Sequence, residues 1–181
     1  MASLQNRIVG ALQLKPATFE DVENDASATS QAAMVVVAAA ISRGLATVSY
    51  SGATWFVAAI ILSLVGWVVG SWLVLIIGTK VMPGKNTQAD LGQMLRVMGF
   101  AQAPGLFGLI TIIPLLGWVV AFLIAIWGIA ASVIGVRQAL DYDETIKAVI
   151  VCIIAWVASF ILMGILGLFG VGAAIVSSAA S

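Results

Sequence analysis

Apolar residues in this chain come in long blocks, and polar residues come in short clusters between them. Residues 1–29 are the one extended polar region. Within it Leu4, Ile8, Ala11 and Leu12 recur at helical spacing, with Gln5, Asn6 and Gln13 on other faces. That pattern predicts a short helix lying in the headgroup layer and ended by Pro16, whose ring and missing N–H stop an α-helix. A second helical turn is expected from Thr18, with its hydroxyl as cap and Asp21 three residues on.

Beyond residue 29 the apolar blocks are long enough to cross a bilayer, which takes about 20 residues each. The first span is predicted from Ser30 to Ser49, a tight turn at Tyr50-Ser51-Gly52, and the second span from Ala53 to Gly78. Thr79 to Ala89, with Pro83-Gly84, reads as a polar loop. The third segment, Asp90 to Ile113, starts amphipathically: Leu91, Met94, Leu95 and Met98 share a face that Gln93, Arg96 and Gln102 avoid. Pro104-Gly105 then interrupts it. A kinked span is preferred to an interfacial helix with a short crossing, because neighbouring helices can satisfy a freed carbonyl. Pro114 to Gly117 makes the next turn. A fourth span follows from Trp118 to Val136, a charged loop from Arg137 to Lys147, and a fifth span from Ala148 to Phe169. The expected fold is an all-α polytopic membrane helix bundle with five transmembrane helices. It divides into a cytoplasmic or interfacial arm (1–29), a membrane domain (30–169) and a small, neutral, frayed tail (170–181).

Composition supports this class. Hydrophobic residues make up 62% of the 181 and charged ones 9%, against about 45–50% and 25% in soluble domains. No Asp, Glu, Lys or Arg lies between Arg96 and Arg137, a gap that holds two spans. The early acidic residues Glu20, Asp21, Glu23 and Asp25 do not fit a cleavable signal peptide, so a retained N-terminus is expected. No lipidation motif is recognised at either end. Cys152, in an apolar stretch, is the one cysteine, so no intramolecular disulfide can form, and there is no histidine. A formal net charge of zero argues against nucleic-acid binding.

Charge also orients the bundle. Five spans with the N-terminus inside place Arg7, Lys15, Lys80, Lys85, Arg96, Arg137 and Lys147 on the cytoplasmic side, as the positive-inside rule requires. The C-terminus then lies outside, and Tyr50, Trp55 and Trp118 fall at the outer interface. Arg43, in the outer third of the first span, is the one charged residue at membrane depth. Its first reading is a side chain snorkelling to the outer headgroups, and its second an anion or lipid-phosphate contact helped by a kink at Gly44.

Little else suggests chemistry. Asp141, Asp143 and Glu144 resemble a metal cluster, but Asp141-x-x-Glu144 before an apolar helix is better read as a capping box. The acidic group Glu20–Asp25 reads first as helix starts and a solvated face, and Cys152 as a small hydrophobe. Gly66-x-x-x-Gly70, the looser Gly128-x-x-x-Ser132, and Gly164, Gly167 and Gly170 predict close helix packing, within the protomer ahead of oligomerisation. Gln93, Gln102 and Thr111 either line a cavity or satisfy the kink. There is no nucleophile–base pair, metal ligand set or phosphate-cradling loop, so no enzymatic activity and no cofactor are expected.

Three stretches carry a family resemblance. Leu14-Lys15-Pro16-Ala17-Thr18-Phe19-Glu20-Asp21-Val22-Glu23, followed by Ala28-Thr29-Ser30-Gln31-Ala32, is the first. Leu91-Gly92-Gln93-Met94-Leu95-Arg96-Val97-Met98-Gly99-Phe100-Ala101-Gln102-Ala103-Pro104-Gly105 is the most specific, and Val136-Arg137-Gln138-Ala139-Leu140-Asp141 the third. Together they resemble bacterial members of the Yip family, Ypt/Rab-interacting membrane proteins. The resemblance implies five spans, a cytoplasmic N-terminus and residence in the bacterial inner membrane. Eukaryotic members act in ER–Golgi traffic and bind prenylated Rab-type GTPases. This sequence lacks their long polar N-terminal region and their Asp-Leu-Tyr-Gly-Pro type motif, so GTPase binding is not carried over.

The function expected is therefore a non-enzymatic accessory or scaffold protein that binds another membrane protein or organises lipid. A homo-oligomer is compatible with this reading. Candidate partner or lipid contacts are Arg43, Arg96, Gln102, Pro104 and Arg137. The rival is a small-solute or lipid transporter with a cavity at the kinked third segment. A third reading is a membrane-shaping protein with the 4–14 helix as wedge.

Overall fold

The computed structural model describes the backbone of residues 2–179 and the side chains of 2–48 and 54–165. Among these residues every regular element is helical. Five segments are long and apolar enough to cross a membrane: Ala28–Val48, Thr54–Val81, Leu91–Ile112, Gly117–Ala139 and Thr145–Ile165.

The arm forms two helices, α1 (Leu4–Leu12) and α2 (Pro16–Asn24). Ser3 caps α1 by accepting from the Asn6 N–H at 3.3 Å. The helix ends in a Schellman turn: Leu14 takes a left-handed φ of 56°, its N–H bonds the Ala11 carbonyl, and the Lys15 N–H bonds that of Gly10. Pro16 also opens α2, at a position where an N–H has no helical partner to lose. The second helix thus starts two residues before Thr18, and Asp21 is engaged by Arg7 instead of serving a cap. Helix α1 is also tied to the membrane domain. The indole N–H of Trp127 donates to the Leu12 carbonyl at 2.9 Å, and Trp127 lies about 18 Å along the helix from Ala139. The arm is a helical hairpin packed on the spans.

Helical backbone fills Ala28 to Ile76 (α3), but this stretch folds back on itself and holds two spans. The side chains at the expected turn, Tyr50-Ser51-Gly52, lie outside the described residues, but those on either side show that the chain reverses. A straight rod of these 49 residues would be about 73 Å long, more than twice the hydrocarbon core. Yet a Cβ on Gly44 would fall 2.7 Å from a ring carbon of Phe56, where a straight helix would separate the two by about 18 Å. The second span closes in a π turn, Ile77–Val81, with the Met82 N–H on the Ile77 carbonyl at 2.8 Å.

The third segment is a kinked span, built differently from the expectation. An Asp90/Gln93 capping box starts α4 (Leu91–Phe100). After a turn at Ala101–Gln102 the chain tightens into a 3₁₀ helix, Ala103–Ile112. Pro104 sits in the first turn of that tighter helix, where its missing N–H is harmless, so it does not break an α-helix from within. A 3₁₀ helix rises about 2.0 Å per residue against about 1.5 Å, so the two pieces together cover about 35 Å.

Helix α5 (Gly117–Ala139) ends in a second Schellman turn, with Asp141 at φ 49°. The Asp141 and Tyr142 N–H groups bond the Gln138 and Arg137 carbonyls. The Asp141-x-x-Glu144 capping box is thereby corrected: Asp141 ends α5, and α6 (Thr145–Ala179) begins only at Thr145. Helical backbone also continues past Phe169 to Ala179, because no proline or charge stops it.

The first span and the third segment run in the same direction in contact, Ala32 against Gly99 and Ala39 against Gly105. The dense core lies at the arm end, where Phe19, Val22, Val36, Met94, Phe100 and Val136 are all fully buried. At the far end Trp55, Leu115 and Trp118 are exposed, as residues facing lipid and its interface should be.

Candidate functional site

Two polar constellations stand out, one where the arm docks and one in open grooves along the spans. At the first, Arg7 on α1 is 1% exposed. Its Nε bonds Asp21 at 2.8 Å, one terminal nitrogen bonds Asp25 at 2.6 Å, and the other bonds Gln31 of the first span at 3.0 Å. The guanidinium fork thus joins α1, α2 and the membrane domain at one point. Burial opposes its charge, but the bonds to Asp21 and Asp25 outweigh this and raise its pKa. Asp25, hydrogen-bonded by Ser27 and then Arg7, is held down to about 2.

Arg96 is 8% exposed and spends its donors inside the protein. Its Nε lies 2.9 Å from the Val22 carbonyl and 3.1 Å from that of Glu23, and a terminal nitrogen also bonds the Glu23 carbonyl. These carbonyls sit at the C-terminal end of α2, where a cation meets the negative end of the helix dipole. Arg96 is an internal fastener for the arm and is not open to a partner. Beside it the Glu23 carboxylate accepts from Gln93 at 3.3 Å. Burial, followed by the like charges of Asp141 and Glu20, pushes Glu23 up to about 7. Its surroundings are therefore not the freely solvated face expected for Glu20–Asp25.

Arg137 folds over the end of its own helix, reaching the Tyr142 and Asp143 carbonyls at 3.3 Å each. The buried Tyr142 hydroxyl lies 3.1 Å from the Gly78 carbonyl and 2.7 Å from that of Met82, tying this loop to the π turn. Thr87 adds a strap, donating to the Leu140 carbonyl at 2.6 Å.

The second constellation is a pair of cavities at membrane depth. One, of about 410 Å³, runs between the second and fifth spans past Gly66, Gly70 and Ser159. The other, of about 700 Å³, is lined by Arg43, Gly105, Ala125 and Gly128. They share Gln102, Ser132, Trp156 and Phe160. Gln102 and Arg43 are brought together, the guanidinium donating to the Gln102 amide oxygen at 3.1 Å. Pro104 is buried next to this pair. Ser42 anchors the wall, accepting from the Leu109 N–H at 2.9 Å and donating to the Leu106 carbonyl at 2.8 Å.

The glycines correct an expectation. A Cβ on Gly66, Gly70, Gly128 or Gly164 would meet nothing within 4 Å. None of them brings helices together, and Gly66, Gly70 and Gly128 line the cavities; Gly167 and Gly170 lie outside the described side chains. The close approaches fall elsewhere, as at Gly99, where a Cβ would sit 2.6 Å from that of Ala32.

Sequence reasoning missed Arg7, Glu23 and Tyr142. Arg7 carried a readable signal, since it lies on an amphipathic helix followed closely by an acidic cluster. For Tyr142 no local signal exists, because its partners are some 60 residues away.

With helices as the one kind of regular element among its described residues, five apolar crossings and a docked polar arm, the chain is a polytopic helical membrane protein. More narrowly, the Yip1 domain model matches residues 9–176, and the chain belongs to the Yip family. The match includes most of the arm. No curated protein and no solved structure gave a significant match.

Proposed function

We propose that this Yip-family chain is a non-enzymatic accessory protein of the bacterial cytoplasmic membrane that organises lipid by holding it within its bundle. One observation carries this reading: the cavities at membrane depth are walled by glycines that touch nothing. Protein interiors close-pack unless something else occupies the space, and here the molecule that surrounds the bundle is lipid. Cavities of about 410 and 700 Å³ lie in the range that holds small amphiphiles. The arm end, which carries Arg7, Arg96 and Arg137, faces the cytoplasm in this reading.

Native mass spectrometry of the full chain, released from membranes in mild detergent, tests the proposal. Bound lipid in fixed stoichiometry is expected, and a bare monomer with no retained lipid overturns it. The meeting of the two cavities at Gln102 favours one second reading, passage of a lipid or small solute through the bundle. Proteoliposome flux that Gln102→Ala leaves unchanged counts against that alternative.

A further inference from the structure

Arg43 does not point where its position in the sequence suggests. Its Cα lies against Gly108, with a Cβ built there falling 3.1 Å away. Further along, its Cζ lies against Gly105, and its terminal nitrogen reaches Gln102. Since the third segment runs outward from Gln102 to Gly108, the side chain lies along that segment toward the arm end, and it stays exposed there. The geometry of a helix explains this, because Cα–Cβ bonds tilt toward the helix N-terminus, which here is the arm end. Helix α4 rises about 15 Å before Gln102, so the guanidinium sits near the midpoint of a segment about 35 Å long.

At that depth a guanidinium needs a partner. It has five N–H donors, and its one partner among the described residues is a neutral amide. All eight carboxylates, Glu20, Asp21, Glu23, Asp25, Asp90, Asp141, Asp143 and Glu144, lie outside the apolar spans or at their ends. Among the described residues, Arg43 is the one ionisable residue lining either cavity. A cation on the wall of an otherwise uncharged, mainly apolar space, with a glycine-walled groove leading away from the same point, is complementary to a molecule with one acidic group and an apolar tail.

We infer that the paired cavities take an anionic phospholipid, with its phosphate on Arg43 and Gln102 and an acyl chain in the groove past Gly66 and Gly70. This rests on the lipid-holding reading above and adds the headgroup charge and the residue that selects it. The groove length agrees: on the second span it runs from Ser63 to Val74, about 16 Å, close to the depth of one leaflet's hydrocarbon.

The test uses the full chain in mild detergent with equimolar phosphatidylglycerol and phosphatidylcholine, read by native mass spectrometry. Wild type should retain phosphatidylglycerol in about tenfold preference, the scale of one charge-assisted contact. Arg43→Gln should lose that preference while still retaining lipid. Arg43→Lys should keep part of it, which separates charge from folding. Gly66→Leu should lower retention of both lipids. A preference that survives in Arg43→Gln overturns the inference and leaves the lipid-holding reading standing. Wild type that retains neither lipid overturns both. Displacement of phosphatidylglycerol by millimolar inorganic phosphate, with no loss in Gly66→Leu, makes a free anion the ligand and also overturns it.

Discussion

Arg7→Met removes a 1% exposed guanidinium while keeping much of its apolar stem, so the loss is mainly that of three directed bonds. Deleting one partner of a buried ion pair typically costs about 3–5 kcal/mol. Here the Asp21 side chain is 41% exposed and that of Asp25 17%, so both carboxylates regain water when the arginine is gone. Discounting for that solvation gives about 2–3 kcal/mol for docking of the arm. The spans make few contacts through Arg7 beyond Gln31, so the effect should be local. Hydrogen–deuterium exchange by mass spectrometry reads it directly. Amide protection over residues 4–24 should fall by about 100-fold, since about 1.4 kcal/mol is one factor of ten, with the third and fourth spans unchanged. Arg7→Lys should fall between, because an ammonium restores charge without the fork that reaches three acceptors. Protection of the arm in Arg7→Met within about threefold of wild type would refute the hub.

The arm should also respond to pH. Glu23, with a folded pKa of about 7 against an ordinary 4.5, contributes fully below the ordinary value, and its contribution is lost as pH rises through about 7. Asp25, held at about 2 against 3.8, contributes above 3.8 and is lost as pH falls toward 2. Docking is thus tightest between these windows, near about pH 4 to 4.5, and Glu23→Gln should abolish the decline on the alkaline side; a decline that persists in that variant, after correction for intrinsic exchange, removes Glu23 as its cause. Gly99→Ala should destabilise by about 1–3 kcal/mol through collision with Ala32, whereas Gly66→Ala should leave the melting temperature in detergent nearly unchanged; equal effects would contradict the open groove. Tyr142→Phe should cost about 1–2 kcal/mol by stranding the Gly78 and Met82 carbonyls, seen as faster exchange around residues 77–82, and no change there would show that water replaces the hydroxyl.

Much of the architecture was legible because bilayer crossing imposes a length and polarity rule that each segment obeys by itself. The five apolar blocks, the amphipathic start at Leu91 and the Pro104 interruption are local properties, and the structure bears each out. The Asp90/Gln93 capping box was just as local and went unread. Details that depend on which way a helix faces were not readable in this way. Gly66-x-x-x-Gly70 is compatible with a packed seam or an empty wall, and only the placement of the second and fifth spans around a cavity decided for the wall. In sequence Arg7 and Arg96 are cytoplasmic-side charges, Arg96 also a candidate partner or lipid contact, and both became buried fasteners once the arm folded against the spans. Arg43 shows the division most plainly. Its residue type and depth follow from the sequence, but whether its charge ran out to the headgroups or in toward Gln102 was set by the direction of its helix and by Gly105 and Gly108, which let the side chain lie down between two spans.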